Sequence, residues 1–171
     1  MIKNLILTGR PGIGKTTVVR KVAERLGDRA VGFYTVEVRK AGRREGFDVV
    51  TLDGRRGILA RRRLDSPHRV GRYRVDLAAL EALLDELIPP APEPGQVLII
   101  DEIGKMELLS ERFVATLMRA LESPAPVIAT MMRGQHPVVR RVLQRPDVRV
   151  VEVTMSNRDQ LPEQILSWLI R

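Results

Sequence analysis

Apolar and polar positions alternate along the chain in blocks that change period, and these blocks predict its elements. Residues 2–8 form an apolar run that reads as a buried first strand, followed by helical spacing over 15–26 that closes at Gly27. Residues 31–38 have strand composition, and polar, glycine-bearing residues 40–46 turn the chain into a second strand-like run at 47–52. Asp53-Gly54 is a hairpin signal ahead of 55–60. Together these predict an antiparallel β-meander over 31–60, inserted into an α/β core.

Beyond it, Asp76 is placed to cap a helix over 77–88, where Leu77, Leu80, Leu83, Leu84 and Leu87 recur at helical intervals. Proline-rich residues 89–95 form a stiff connector. The unbroken apolar run at 97–100 is of the kind buried on both faces of a parallel sheet. Ser110 can cap a helix over 111–121; strand-like 126–130, helix-like 136–144 and strand-like 148–153 follow. The last helix is expected to begin near 159–161, because Pro162 is comfortable only in a first turn. The alternation predicts a single α/β domain over 1–171, a mostly parallel sheet flanked by helices.

Between the first strand and the first helix lies Gly9-Arg10-Pro11-Gly12-Ile13-Gly14-Lys15-Thr16, which fits GxxxxGK[ST] at every fixed position. Such a phosphate loop (P-loop, Walker A) uses glycines so that successive backbone N–H groups face one concavity and hold phosphate oxygens. Lys15 would reach the β- and γ-phosphates and the Thr16 hydroxyl would bind Mg²⁺. The motif implies binding of a nucleoside tri- or diphosphate. Asp101-Glu102 follows the buried run 97–100, so the pair is expected at the sheet's carboxyl edge, where open α/β sheets bind ligands. Asp101 suits a Mg²⁺ site (the Walker B role), and Glu102 suits the orientation of an attacking water.

Composition narrows the setting. The chain has no cysteine, which excludes a disulfide framework and a thiolate metal site, and no apolar run long enough to span a membrane. With no signal-peptide pattern, these features suit a cytoplasmic protein. The net charge of +8 sits entirely in residues 39–74, which hold 12 Lys/Arg against 4 Asp/Glu. That segment reads either as a solvated arginine-rich surface or as a polyanion-facing patch.

The stretches Gly9 through Thr17, Gly32-Phe33-Tyr34-Thr35, Gly46-Phe47-Asp48, Thr51-Leu52-Asp53-Gly54, Val97-Leu98-Ile99-Ile100-Asp101-Glu102-Ile103-Gly104-Lys105-Met106-Glu107, His136-Pro137 and Asn157-Arg158-Asp159 resemble the small P-loop nucleoside-triphosphatases over nearly the whole chain. The resemblance implies a RecA-like core with extra strands. It also implies Mg²⁺-dependent hydrolysis of several nucleoside triphosphates (ATP, GTP, CTP, UTP, TTP) to diphosphate and phosphate. By the same resemblance the nucleotide-contacting stretches are Gly9, Arg10, Pro11, Gly12, Ile13, Gly14, Lys15 and Thr16 with Thr17, and Val97, Leu98, Ile99, Ile100, Asp101, Glu102, Ile103 and Gly104. A monomer is expected.

Secondary candidates keep two readings each. Thr130 is either a γ-phosphate sensor or a plain strand end. Arg133 is a possible cis arginine for transition-state charge, and Lys105 and Glu107 are either site contacts or a loop salt bridge. Asn157, Arg158 and Asp159 are either a nucleobase platform, with Arg158 stacking on a base face, or the site of a helix cap made by Asn157 or Asp159, and His68, His136 and Trp168 read as structural. Two other functions stay open: a small nucleotide kinase with a lid built from arginines 133, 140, 141 and 145, and a nucleic-acid-associated ATPase using residues 39–74. Nucleic acid is thus an admissible partner that the motifs do not favour.

Overall fold

The computed structural model describes residues 1–170. Its nine strands are β1 (Asn4–Thr8), β2 (Ala30–Lys40), β3 (Arg43–Thr51), β4 (Arg56–Arg61), β5 (Arg69–Val70), β6 (Tyr73–Val75), β7 (Val97–Ile103), β8 (Val127–Met131) and β9 (Val148–Glu152). They form one sheet in the order β5-β6-β4-β3-β2-β7-β8-β1-β9. From β2 to β9 all neighbours are parallel; from β2 to β5 all are antiparallel.

The helices are α1 (Lys15–Leu26), α2 (Leu77–Ala82), α3 (Leu84–Leu87), α4 (Glu111–Glu122), α5 (Pro137–Leu143) and α6 (Leu161–Leu169). Strand alternation sorts them into two layers. Leu5, Leu7, Val97 and Ile99 face α1 and α6 through Val18, Val19, Val22, Leu161 and Ile165. Ile6, Leu98 and Ile100 face the other layer, where Leu80, Phe113, Leu117 and Val139 pack. The apolar run 97–100 is therefore buried on both faces, as its composition predicts. Trp168 packs on the α1/α6 side, and Pro162 lies in the first turn of α6.

Three expectations need correction. The antiparallel run is longer than 31–60, continuing through β5 and β6 to Val75. β2 pairs in parallel with β7 over Ala30–Phe33 and antiparallel with β3 beyond that, so one long strand belongs to both halves. The helix expected at 77–88 is two pieces, because the backbone leaves helical geometry at Leu83. Finally, β7 runs past residue 100 to Ile103, with its register against β8 slipping between Ile100 and Ile103.

This order matters for the site. β8 lies between β1, which leads into residues 9–14, and β7, which carries Asp101. β2, on the far side of β7, passes Asp101 and projects beyond it.

Candidate active site

β1 delivers the chain to the carboxyl edge, where residues 9–14 turn it into α1. Gly12 and Gly14 have φ of 78° and 111°, a backbone that side-chain-bearing residues rarely adopt. Gly14 is the N-cap of α1 and offers no side chain to the helix, whose first turn has no acidic residue. Three other helices have filled caps: Asp76, Ser110 and His136 accept from the backbone N–H groups of Ala79, Phe113 and Val138. The orphan donors at the start of α1 are left for an anion, with the positive helix end behind them. Lys15 Nζ lies across the same loop and donates to the Gly9 and Arg10 carbonyls at 2.9 and 3.2 Å. Ile13 is buried and anchors the loop; Arg10, Pro11 and Thr17 are exposed.

Facing the loop is the acidic pair on β7, joined by a cis peptide. Asp101 is 3% exposed. Its Oδ1 accepts a 2.5 Å hydrogen bond from Thr130 Oγ1 on β8, and its carbonyl accepts one of 2.8 Å from Thr35 Oγ1 on β2. Its Oδ2 is buried without any hydrogen-bond partner. Burial pushes the Asp101 carboxyl above the ordinary aspartate range, opposed by the Thr130 and Thr16 hydroxyls, the Thr35 backbone and the Lys15 charge. Thr16 and Asp101, predicted to work together, are thus neighbours.

Glu102 is half-buried beside them. Burial, then the Asp101 charge, raises its carboxyl, and Lys15 opposes this. Behind it stands Glu107, 2% exposed in a 3₁₀ turn (Glu107–Leu109), raised to about 8 by burial and by the charge on Glu102. A Cβ at Gly104 would lie 2.8 Å from Glu107 Oε2 and 2.9 Å from Glu102 Oε1. Both carboxylates therefore converge on Gly104, and a Cβ there would require them to move. Lys105 is exposed and makes no salt bridge with Glu107.

On the other side of α1, Arg158 donates to the Ile13 carbonyl at 3.2 Å and, with Gly14, Thr17, Val18, Lys21 and Asp159, lines a cleft of about 200 Å³. Asn157 spends its amide on the turn, accepting from Thr154 N–H and donating to the Glu152 carbonyl. Thr130 is wholly buried, so its hydroxyl orients Asp101 rather than reaching outward. The arginines considered for a lid are dispersed. Arg133 pairs with Glu152, Arg145 is tied to Asp147 and the Leu121 carbonyl, and Arg140 and Arg141 are exposed on α5. Thr35 was not singled out by the sequence as a partner of Asp101. It lies on another strand, 66 residues away, and no local pattern marks it.

This geometry agrees with the comparisons. Residues 4–166 match the family model described as NTPase. The chain is 45% identical over 165 residues to the nucleoside-triphosphatase THEP1 of Thermotoga sp. (strain RQ2), covering 96% of this chain and 94% of that one. It superposes on the crystal structure of THEP1 from Aquifex aeolicus with a TM-score of 0.89 at 39% identity, covering 98% and 99% of the two chains. Against the solution structure of a human cancer-related nucleoside triphosphatase the TM-score is 0.85 at 42% identity, covering 98% and 97%. The chain belongs to the nucleoside-triphosphatase family, a family of hydrolases.

Proposed function

We propose that this site hydrolyses nucleoside triphosphates to diphosphate and phosphate with the help of Mg²⁺, the carrying observation being the partnerless buried Oδ2 of Asp101 beside Thr16 and the phosphate loop. A buried carboxylate oxygen without a donor costs free energy, and a bound cation would remove that cost. Among the described residues no cluster of three or more His, Cys, Asp or Glu is arranged to hold a metal. That fits Mg²⁺, which is commonly held by one or two protein oxygens plus substrate phosphates and water, here Asp101 and Thr16. Bound there, it would neutralise charge on the β- and γ-phosphate oxygens.

The chain's own groups account for the remainder. The amides of 9–16 and the Lys15 ammonium hold the phosphates, stabilising charge as it shifts toward the leaving diphosphate. Glu102, half-buried, accepts a proton from the water that attacks the γ-phosphorus as the bond from that phosphorus to the bridging oxygen breaks and the diphosphate leaves. Gly104 leaves room for Glu102 to adopt that position, and Glu107 backs it. The cleft at Arg158 receives the nucleoside end, where a guanidinium plane can stack on any base. That supports tolerance among ATP, GTP, CTP, UTP and TTP.

The test is phosphate release from a nucleotide panel with and without Mg²⁺, alongside Glu102→Gln. The proposal requires release without any acceptor, dependence on Mg²⁺, and near-complete loss in the variant. Release that needs a phosphoryl acceptor would identify a kinase instead.

A further inference from the structure

The excess positive charge of the chain is built into a row by strand register. Arg39 stands opposite Arg44 and Lys40 opposite Arg43 in the β2–β3 hairpin; Arg61 faces Arg74 across β4 and β6, and Arg74 faces Arg69 across β6 and β5. Like charges directly opposite one another on a sheet are destabilising, and successive pairs point to opposite faces. Arg39/Arg44, which Glu37 neutralises, therefore lies on the other face from Lys40/Arg43, while Arg61, Arg74 and Arg69 share one face.

Internal carboxylates neutralise only part of this charge. Glu37 takes Arg39 and Arg44, Asp48 takes Arg56 and Arg61, and Arg55 is shared by Asp53 and Glu86. Lys40 and Arg43 at the hairpin tip, Arg62 and Arg63 after β4, and Arg69, Arg72 and Arg74 on the last hairpin have no carboxylate partner among the described residues. Three of these are held in place by the backbone: Arg62 donates to the Arg44 carbonyl, Arg69 to Gly71 and Arg74 to Ser66. Their forks are fixed while other N–H groups stay free.

From β2 to β5 the row crosses four inter-strand steps, about 19 Å at ~4.8 Å each. β2 passes Asp101 at Thr35 and runs on to Lys40, so the row stands at the carboxyl edge, flanking the phosphate site.

We infer that this band is a docking surface for the phosphodiester backbone of a nucleic acid, bound without regard to sequence. A periodic row of guanidiniums matches a periodic anion. Within residues 39–74 the aromatic residues, Phe47 and Tyr73, pack edge to face on each other against the core, so they offer no platform for bases. A membrane surface is the poorer match, because Ile58 is the only large exposed apolar residue of these strands and nothing else is available to insert. The inference does not depend on Glu102 or on hydrolysis.

The test is fluorescence anisotropy of labelled single-stranded RNA, single-stranded DNA and duplex of mixed sequence over a salt series. The wild-type chain should bind at low salt, insensitive to sequence. With roughly three or more phosphates engaged, log K should fall against log salt with a slope of about −2 or steeper. Reversing Arg43, Arg63 and Arg72 to Glu should weaken binding at least about tenfold, at roughly one phosphate contact per arginine. Melting temperature and nucleotide affinity should hold. Reversing Arg140 and Arg141 on α5 should leave binding near wild type. Alanine at 43, 63 and 72 gives a second reading, a shallower salt slope, should the reversed variant fold poorly. Absence of binding at low salt, equal loss from the α5 variant, or equally strong, arginine-dependent capture by phosphatidylserine vesicles would each overturn the inference.

Discussion

Two aspartates in this sheet are buried to nearly the same depth and are treated in opposite ways. Asp48, in the antiparallel half and 6% exposed, receives two guanidiniums, Arg56 at 2.5 Å and Arg61 at 2.6 Å. Asp101, in the parallel half and 3% exposed, receives only hydroxyls and keeps one oxygen without a partner. The first is internally satisfied and can serve only to hold β3 and β4 together. The second carries a cost that a bound cation would relieve, beside a helix start that is itself uncapped. The proposed function places the chemistry where the chain leaves its own polar groups unfinished, an uncapped helix start on one side and a carboxylate oxygen without a partner on the other.

The largest effects should come from the unfinished side. Lys15→Ala is expected to bring nucleotide binding or turnover below detection, read by calorimetry and phosphate release. Glu102→Gln should bind nucleotide with near wild-type affinity while turnover drops about 10²–10⁴-fold, the range for loss of a general base. Near-normal turnover there would remove Glu102 from the chemistry.

The aspartates can then be set against each other directly. Asp48→Asn leaves two arginines short of a counter-charge and should lower stability by about 2 kcal/mol, less than for a fully buried pair because Arg56 is largely exposed. Asp101→Asn removes a buried anion while keeping a partner for Thr130, and should leave the nucleotide-free melting temperature unchanged or higher. Thermal melts check both, and parallel losses would erase the distinction.

The smallest effect concerns Glu107. Its carboxyl, raised from 4.5 to about 8, keeps in the folded state a proton that the unfolded chain has already lost. The stability it contributes is complete below about pH 4.5 and declines as pH rises toward about 8. Glu107→Gln does not titrate, so its melting temperature should gain on wild type across that window, by no more than a few kcal/mol in stability. A constant difference between the two proteins would contradict the burial argument.

What could be read in the sequence follows the same divide. The phosphate loop and Asp101-Glu102 are contiguous and flanked by strong periodic patterns, so both were legible, as were the side-chain caps Asp76 and Ser110. The assembly around Asp101 was not. Thr35 and Thr130 come from strands on either side of β7, and only the sheet order brings one to the backbone carbonyl and the other to the carboxylate of the same residue. β5 and β6, of two and three residues, are too short for an alternating pattern, and their arginines read as a charged loop. The break at Leu83 was hidden because leucines at 80, 83, 84 and 87 fit helical spacing whether or not the backbone is continuous.

The most direct test is titration calorimetry of ATP into wild type and Asp101→Asn, each with Mg²⁺ and with chelator. The account predicts that wild type binds at least about tenfold more weakly when Mg²⁺ is removed, and that Asp101→Asn loses most of that dependence. Equal affinity of the wild-type chain with and without Mg²⁺ would contradict it.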